Sequence, residues 1–496
     1  MPRPAVCGGQ SVCLAAESWS YPTSKPKTPF GGGTGTQSDP YLISTAQHLA
    51  NLAYMVTDNN TEYDGKYFVL TNDITLNDNV INSAGTGLNN YESSYELWTP
   101  IGEYGIIADD DFMGTFDGQG HTISGIVCIS EDGKRDYMGL FGTTAKATIK
   151  NLNITNSYLC TKKTTSKEQC YGIIVGESTN TTLINCHVSN SVVNVNHTYT
   201  SNYDDCRVGG LIGYCDHFRT KSTFLSRKTI MTNCSFSGKI YATGDGGGND
   251  LTVGGLFGYQ RPHGSTKVYL TDCKTEGDIY INANKYIYYL EVGGIAASLS
   301  SGDMKNCVNR MNITVNPGQT ISTAVLSGLS YAYPIVSQCV SLGTIKVGSE
   351  DNKAKITELY IGGLMEGSGY FTSCAFYGKF DIHSQGSYIY FNPLTQYYYK
   401  VDGTPSVVCS VGNVFDIDYT KTVLDQVCYE YSEGNHNCYY RFETATSNVT
   451  FPCKGTADAS KYNKTLEEMK ADGFISTLNS AAGGYVWLRY KGGNTQ

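Results

Sequence analysis

Residues 251–260 read LTVGGLFGYQ. Glycine weakens a strand interior, yet this strand-like run carries three of them, and nearly the same phrase returns along the chain. YMGLFGT begins at Tyr137, YGIIVGE at Tyr171, VGGLIGY at Val208 and VGGLFGY at Val253. VGGIAAS at Val292, LSGLSYA at Leu326 and IGGLMEG at Ile361 follow. The spacings are 34, 37, 45, 39, 34 and 35 residues, a period that marks a repeat architecture.

The columns of this repeat carry its geometry. The first position is Tyr137, Tyr171, Val208, Val253, Val292, Leu326 or Ile361, and three residues on stand Leu140, Ile174, Leu211, Leu256, Ile295, Leu329 and Leu364. On a straight strand, positions three apart face opposite sides. Both columns enter one core only if the backbone turns between them, and glycine, free of the usual φ limits, permits that turn. The competing reading is a strand buried on both faces, with glycine present for close packing. The corner is the better fit to the odd spacing.

A second phrase follows each copy: IKNLNIT, LINCHVS, MTNCSFS, LTDCKTE, MKNCVNR, VSQCVSL and FTSCAFY. Here Leu152, Cys186, Cys234, Cys273, Cys307, Cys339 and Cys374 form an apolar column, three residues after another. The residue just before it is Asn151, Asn185, Asn233, Asp272, Asn306, Gln338 or Ser373. Asn and Asp tolerate left-handed backbone and bond their own chain, as corners require. Asn156, Asn190, Gly238, Gly277, Gly343 and Gly378, four residues after the column, predict a third corner, with Met311 the exception.

Short strands joined by three corners describe one coil of a parallel β-helix. Coils stack about 4.8 Å apart, so like residues form interior ladders and neighbouring coils share one core. The predicted fold is all-β: a single elongated parallel β-helix, or solenoid, with short capping helices at both ends. The seven-unit solenoid occupies 136–385, and residues 35–135 form the N-terminal cap helix and opening coils. Residues 386–496 hold a Tyr-rich segment, the last coils and a C-terminal capping helix. Residues 1–34 read as a leader or linker, or the remnant of a signal segment. The first cap is ISTAQHLANLAYMV, opened by the capping-box pattern Ser44-x-x-Gln47 with Leu49, Leu52, Ala53 and Val56 at helical spacing. The second is KTLEEMKADGFISTLN, with Leu466, Met469, Phe474 and Leu478.

Composition narrows the function. Net charge is −9, and no basic block is present, which argues against nucleic acid as a partner. No apolar run reaches the roughly 18–20 residues of a membrane-crossing helix.

The chain resembles the GLUG-motif repeat proteins, on Gly210-Leu211-Ile212-Gly213 and Gly255-Leu256-Phe257-Gly258. The opening segments GTQSDPYLISTAQHLANLA, GKYFVLTNDITL, WTPIG and GTFDGQGHTISGI are similar too, as are Asn437-Cys438-Tyr439-Tyr440 and KTLEEMKADGF. The resemblance covers roughly residues 35–479. It implies a secreted or surface-displayed bacterial protein of adhesin type, and it carries no catalytic, cofactor or metal residues. Ala297, Tyr331 and Glu366 stand where the motif usually has glycine.

The remaining features are weighed residue by residue. Cys186, Cys234, Cys273, Cys307, Cys339 and Cys374 read as buried free thiols, because stacked side chains about 4.8 Å apart fall outside the Cβ window of a disulfide. Cys160 with Cys170, Cys206 with Cys215, and Cys409, Cys428, Cys438 and Cys453 are better disulfide candidates. DGGGND at 245–250, DDD at 109–111 and RPHG at 261–264 read as loops, and His121 as structural. Tyrosines cluster at 286–289, 388–391 and 397–399. Tyrosine is a good strand residue, but exposed rows of it also suit sugar or protein contacts.

The expected function is an adhesin-like scaffold, extracellular or at the cell surface, without catalysis or cofactor. It binds a host or microbial surface glycan or protein through loops near 197–207, 215–230 and 386–436 and through Tyr-rich surfaces. The alternative is a carbohydrate-active β-helix enzyme, a polysaccharide lyase or glycoside hydrolase, which needs carboxylates, or a carboxylate with Lys or Arg, converging on neighbouring coils.

Overall fold

The computed structural model describes residue 16 and residues 18–448, apart from 58–60, 103–109, 131–136, 162–168, 198–204, 216–226, 246–249, 263–265, 393–396, 399–405 and 424–437. One coil shows the plan. Strand Cys206–Gly209 bends at Gly210 and Leu211 into Ile212–Cys215. Arg227–Thr232 then turns through Asn233 into Ser235–Gly244, and Asp250–Gly254 starts the next coil directly over Cys206–Gly209. Each strand pairs in parallel with its counterparts one coil before and one coil after. This is the expected parallel β-helix.

The glycine phrase makes the corner. Seven strands that each follow one copy of the phrase, from Phe141–Ala145 to Met365–Glu366, form their own parallel sheet, separate from the large sheet that carries the rest of each coil. Leu211, Leu256, Ile295, Leu329 and Leu364 are fully buried. They stand in line, because each of the first four donates its backbone N–H to the carbonyl of the next, at 2.9, 2.7, 3.0 and 2.7 Å. The reason for glycine differs from the expectation. None of Gly209, Gly210, Gly254, Gly255, Gly293 and Gly294 adopts a left-handed φ. A Cβ on Gly254 would instead overlap the carbonyl of Phe257, and one on Gly255 the carbonyl of Gly294 in the next coil. Glycine is needed there for close approach, not for backbone freedom.

The amide corner follows the sequence reading closely. Asn151, Asn185, Asn233, Asp272, Asn306, Gln338 and Ser373 all have φ between 51° and 57°. Their side chains also join successive coils. Asn185 Nδ2 donates to Asn151 Oδ1 at 2.9 Å, Asn233 Nδ2 to Asn185 Oδ1 at 3.0 Å, and Asn306 Nδ2 to Asp272 Oδ1. The third corner is softer than expected. Asn156 and Asn190 are left-handed and Gly277 has a positive φ of 121°, yet Thr182–His197, Ser235–Gly244 and Lys274–Ala283 continue as strands through Asn190, Gly238 and Gly277, while the strands break at Gly343 and Gly378. Asn190 is an inserted residue, since the pairing register shifts between Ser189 and Ser191.

The interior changes along its length. Phe68, Phe112, Phe116 and Phe141 fill the first coils, with ring centroids 4.9–5.8 Å apart. Leu, Ile, Val and the thiol column, with Tyr171, Phe236 and Phe257 among them, fill the middle. Phe380, Phe391 and Phe415 pack at 4.8–5.0 Å in the last described coils. Helix Ala46–Thr57 buries Leu49, Leu52, Ala53 and Val56 against the first coil, as its periodicity predicts. Its cap sits one residue later than the expected Ser44–Gln47 box. Thr45 Oγ1 accepts the His48 N–H at 3.2 Å, and the Ser44 N–H donates to His48 Nδ1 at 3.3 Å. Gln47 instead bonds Ser20, holding in place the segment expected to be a leader or linker. Trp19 is buried there, donating its Nε1–H to Leu76 O at 3.0 Å. The second capping helix, residues 464–479, lies outside the described residues.

Cys160, Cys170, Cys206 and Cys215 are buried free thiols, which corrects their reading as disulfide candidates. Cys160 and Cys170 belong to different outer clusters, while Cys206 and Cys215 both enter the core, where Cys215 Sγ lies 3.1 Å from Thr229 Oγ1. The six column cysteines are also free and buried, as the spacing implied. Each thiol donates to a backbone carbonyl of the preceding coil, as Cys273 does to Met231 O at 3.5 Å. The side chains of Cys409 and Cys438 and all of Cys428 and Cys453 lie outside the described residues.

Candidate functional site

Strands alternate, so a residue beside an inward one points outward. Immediately before the first apolar column stand Arg207, Thr252, Glu291, Val325, Tyr360 and, one coil later, Tyr390, each paired with the next. Two residues earlier is a second row: Asp250, Tyr289, Thr323, Glu358 and Tyr388. Across the glycine corner runs a third: Glu177, Tyr214, Tyr259, Ser298, Tyr331 and Glu366. The sharp bend folds the third row towards the first two. The result is a strip of tyrosines and carboxylates that crosses five coil steps, roughly 24 Å at about 4.8 Å per coil.

Side-chain contacts join the strip into three successive clusters. Arg207 Nη2 lies 2.8 Å from Asp205 Oδ2, and its guanidinium carbon lies 4.1 Å from the Tyr214 ring centroid and 4.9 Å from that of Tyr259. Tyr214 and Tyr259 stack at 6.1 Å. In the next coil Glu291 takes hydrogen bonds from Tyr289 and Ser298, and Tyr289 also bonds Tyr331. Further on, the Tyr360 hydroxyl donates to Glu358 Oε2 at 3.4 Å, and the Tyr360 and Tyr390 rings stack face to face at 4.5 Å. Tyr388 stands two residues from Tyr390 on the same face, 6.5 Å between centroids. Tyr259, Tyr289, Tyr331, Tyr360, Tyr388 and Tyr390 are half-buried, each keeping part of its ring on the surface.

Burial tunes the protons here. Glu291 is 5% exposed. That burial, reinforced by the Asp250 carboxylate, pushes its pKa up to about 8, against the opposing pull of Tyr289, Ser298 and Arg207. Its Oε2 is buried without a hydrogen-bond partner. Burial also raises Asp250, while Arg207 opposes the shift. The Tyr259 phenol is pushed up to about 12 by burial and then by Glu291. Near neutral pH the strip therefore presents neutral phenols, a protonated Glu291 and several carboxylates, with Arg207 held in a cation–π stack.

Several residues dismissed in the sequence belong to this strip. Asp250 closes the DGGGND run; residues 246–249 lie outside the described residues, but Asp250 itself begins a strand and faces Glu291 diagonally across one coil. Tyr331 and Glu366 do not replace the motif glycine. Tyr331 pairs with Ser298, one place beyond the glycine column, and Glu366 pairs with Tyr331. Of the tyrosine clusters, Tyr289, Tyr388 and Tyr390 join the strip, Tyr286 and Tyr288 are exposed beside it in sequence, and the side chains at 397–399 lie outside the described residues. The same is true of 198–204 and 216–226, the centres of two expected contact loops. The segment 386–436 continues the ladder through Lys379–Asn392 and Ser406–Val423. His121 is structural, its Nδ1 lying 3.2 Å from Asp73 Oδ1, which also accepts the Thr122 N–H. Asp110 and Asp111 sit half-buried beside Phe112; because Phe112 pairs with Thr144 and Thr143 with Glu177, Asp111 falls in line with the third row two coils before Glu177, and Arg261 starts a loop. Among the described residues no group of three or more His, Cys, Asp or Glu side chains is placed to hold a metal ion, and no helix is long and apolar enough to cross a membrane.

No family model matches the chain. A curated relative from Evansella cellulosilytica, named "Putative Gly-rich membrane protein", is 34% identical over 131 residues. That match covers 26% of this chain and 12% of the relative, so the chain spans about an eighth of the relative's length. A solved structure from Bacteroides ovatus, titled as a "putative immunoglobulin A1 protease", is 14% identical and covers 84% of this chain and 87% of its own, with a TM-score of 0.31. The sequence similarity to this bacterial relative is thus confined to 131 residues.

Proposed function

We propose that the protein is a secreted or surface-displayed scaffold of the GLUG-motif type, adhesin-like, whose tyrosine and carboxylate strip holds an extended neutral glycan. The observation that carries this reading is the continuity of the strip over successive coils. Half-buried phenol rings offer flat apolar faces with a hydroxyl at the edge, and such rings bury area against a sugar face while bonding its hydroxyls. The half-buried Asp250 and Glu358 supply further acceptors. A linear row suits a linear polymer. The excess of carboxylates over the single Arg207 opposes polyanions through like-charge repulsion, which counts against an acidic polysaccharide as ligand or substrate. The membrane-protein name of the relative is in keeping with a surface location.

Glycan-array binding with Tyr259→Ala and Tyr289→Ala variants tests the proposal. Neutral glycans are expected to bind, with loss of signal in both variants; retention of only sulfated or uronic-acid glycans would refute it. The glycoside hydrolase reading is favoured by one observation: Glu291 and Asp250, diagonal neighbours on adjacent coils, are both raised by burial, Glu291 to about 8, and acid catalysis of glycoside cleavage requires a carboxylic acid that holds its proton near neutral pH. Release of reducing ends by the wild type, abolished by Glu291→Gln, would establish it in place of binding alone.

A further inference from the structure

On another face of the helix, the chain between Ile81 and Leu97 leaves the coil and folds back over it. Hydrogen bonds fix this excursion at several points. Asn82 N–H donates to Gly87 O at 2.9 Å, Asn89 N–H to Val80 O at 2.8 Å, and Lys239 Nζ to Ala84 O at 3.0 Å. Asn77 accepts the Glu96 N–H and donates to the Glu96 carbonyl, both at 2.9 Å. Ile81 N–H donates to Asn156 Oδ1, the left-handed corner residue beneath. Between the excursion and the coil is a solvent-open cleft of about 750 Å³, lined by Leu88, Asn90, Tyr91, Glu92, Ser93, Tyr95, Leu97 and Tyr158.

The floor is rigid and one wall is bare. Tyr158 is 6% exposed, and its hydroxyl accepts from Asn194 Nδ2 at 3.0 Å. The Tyr95 hydroxyl accepts the Asn90 N–H at 3.1 Å and donates to Asn79 O at 3.2 Å. Tyr91, by contrast, is 87% exposed, and Leu97 beside it is 43% exposed. A phenol left in water at the lip of a preformed cleft has its apolar face available to a ligand.

We propose that this cleft is a second binding site, separate from the strip, for a neutral saccharide of one or two pyranose units. Two phenol rings, those of Tyr91 and Tyr95, offer stacking faces over the buried Tyr158, and Glu92, Asn90 and Ser93 offer acceptors and donors for sugar hydroxyls. Among the described residues no lysine or arginine lines the cleft, so none of these supplies the counter-charge a phosphate, sulfate or uronate requires. Its volume falls within the roughly 300–1,000 Å³ of small-molecule sites. A quaternary ammonium would also suit aromatic rings and a carboxylate. It is much smaller than the cleft, however, and would leave Asn90 and Ser93 without a role. The inference does not rest on the function proposed for the strip.

The test is calorimetric titration of the full chain with neutral gluco-, galacto- and manno-configured disaccharides, and separately with choline. At least one disaccharide is expected to bind, with little change between low and physiological salt. Tyr91→Ala, at an exposed position that leaves folding intact, is expected to weaken that binding at least tenfold, and Glu92→Gln to weaken it less. Tyr289→Ala in the strip is expected to leave it unchanged, which separates the two sites. Binding of choline alone, disaccharide binding that survives Tyr91→Ala, or no binding by any of these ligands would overturn the proposal.

Discussion

Two residue types set the bends, by different physics. The seven left-handed corner residues occupy a backbone region that costs an ordinary L-residue about 1–2 kcal/mol, and the asparagines offset that cost with amide ladders between coils. Asn185 both donates to Asn151 and accepts from Asn233. Asn185→Gly keeps the φ and loses the ladder, so denaturant unfolding should show a loss of about 1 kcal/mol. Asn185→Ala loses both and should fall by about 2–3 kcal/mol. Equal losses would mean that the φ strain contributes nothing. At the other corner, Gly254→Ala forces a Cβ into the Phe257 carbonyl. It should destabilise by about 2–3 kcal/mol, and a neutral result would refute the close-approach account. The sequence showed where both bends fall, because the inward columns recur at odd spacing. It did not show why Gly255 is glycine, since a Cβ there would meet the carbonyl of Gly294 in the next coil, dozens of positions on in the sequence. The softening at Gly238 was equally hidden: one residue, Asn190, is inserted in one coil and absent from the next.

At the scale of the element, the strip is built from positions the fold does not constrain. Inward columns repeat in type because all must fill one core; outward columns do not. Arg207, Thr252, Glu291, Val325 and Tyr360 share one register position and no chemistry, so no motif announces them. A strand-by-strand alignment on the glycine pair finds these outward neighbours, but it misplaces Tyr331 and Glu366, where the strand after the corner is one residue shorter. Burial of Glu291 in this setting has a consequence for pH. Its pKa rises from an ordinary 4.5 to about 8 in the fold. The folded state therefore binds the proton more tightly than the unfolded chain, and stability must decline as pH rises from about 4.5 to about 8, then level off. Glu291→Gln, which imitates the protonated acid, should flatten that decline in thermal unfolding followed across this range. An unchanged slope would place the titration elsewhere, with Asp250 the first alternative.

For the whole molecule, the consequence of coiling is that distance along the chain and distance in space part company. Successive members of the series Tyr259, Tyr289, Tyr331, Tyr360 and Tyr390 are 29–42 residues apart in sequence, yet they stand on neighbouring coils within one strip. The aromatic coils at the ends and the aliphatic and thiol coils between them share one core, so the strip rests on a continuous, stiff support. That arrangement favours a ligand long enough to touch several coils, and its affinity should grow with each coil it reaches. The most direct test is titration with a neutral oligosaccharide series of increasing length against the wild type, Tyr259→Ala and Tyr360→Ala. Affinity should rise with length until the ligand spans the strip, and each substitution should weaken the longest ligand by at least tenfold while leaving thermal stability nearly unchanged. An affinity independent of length, or one untouched by both substitutions, would contradict the strip as the binding surface.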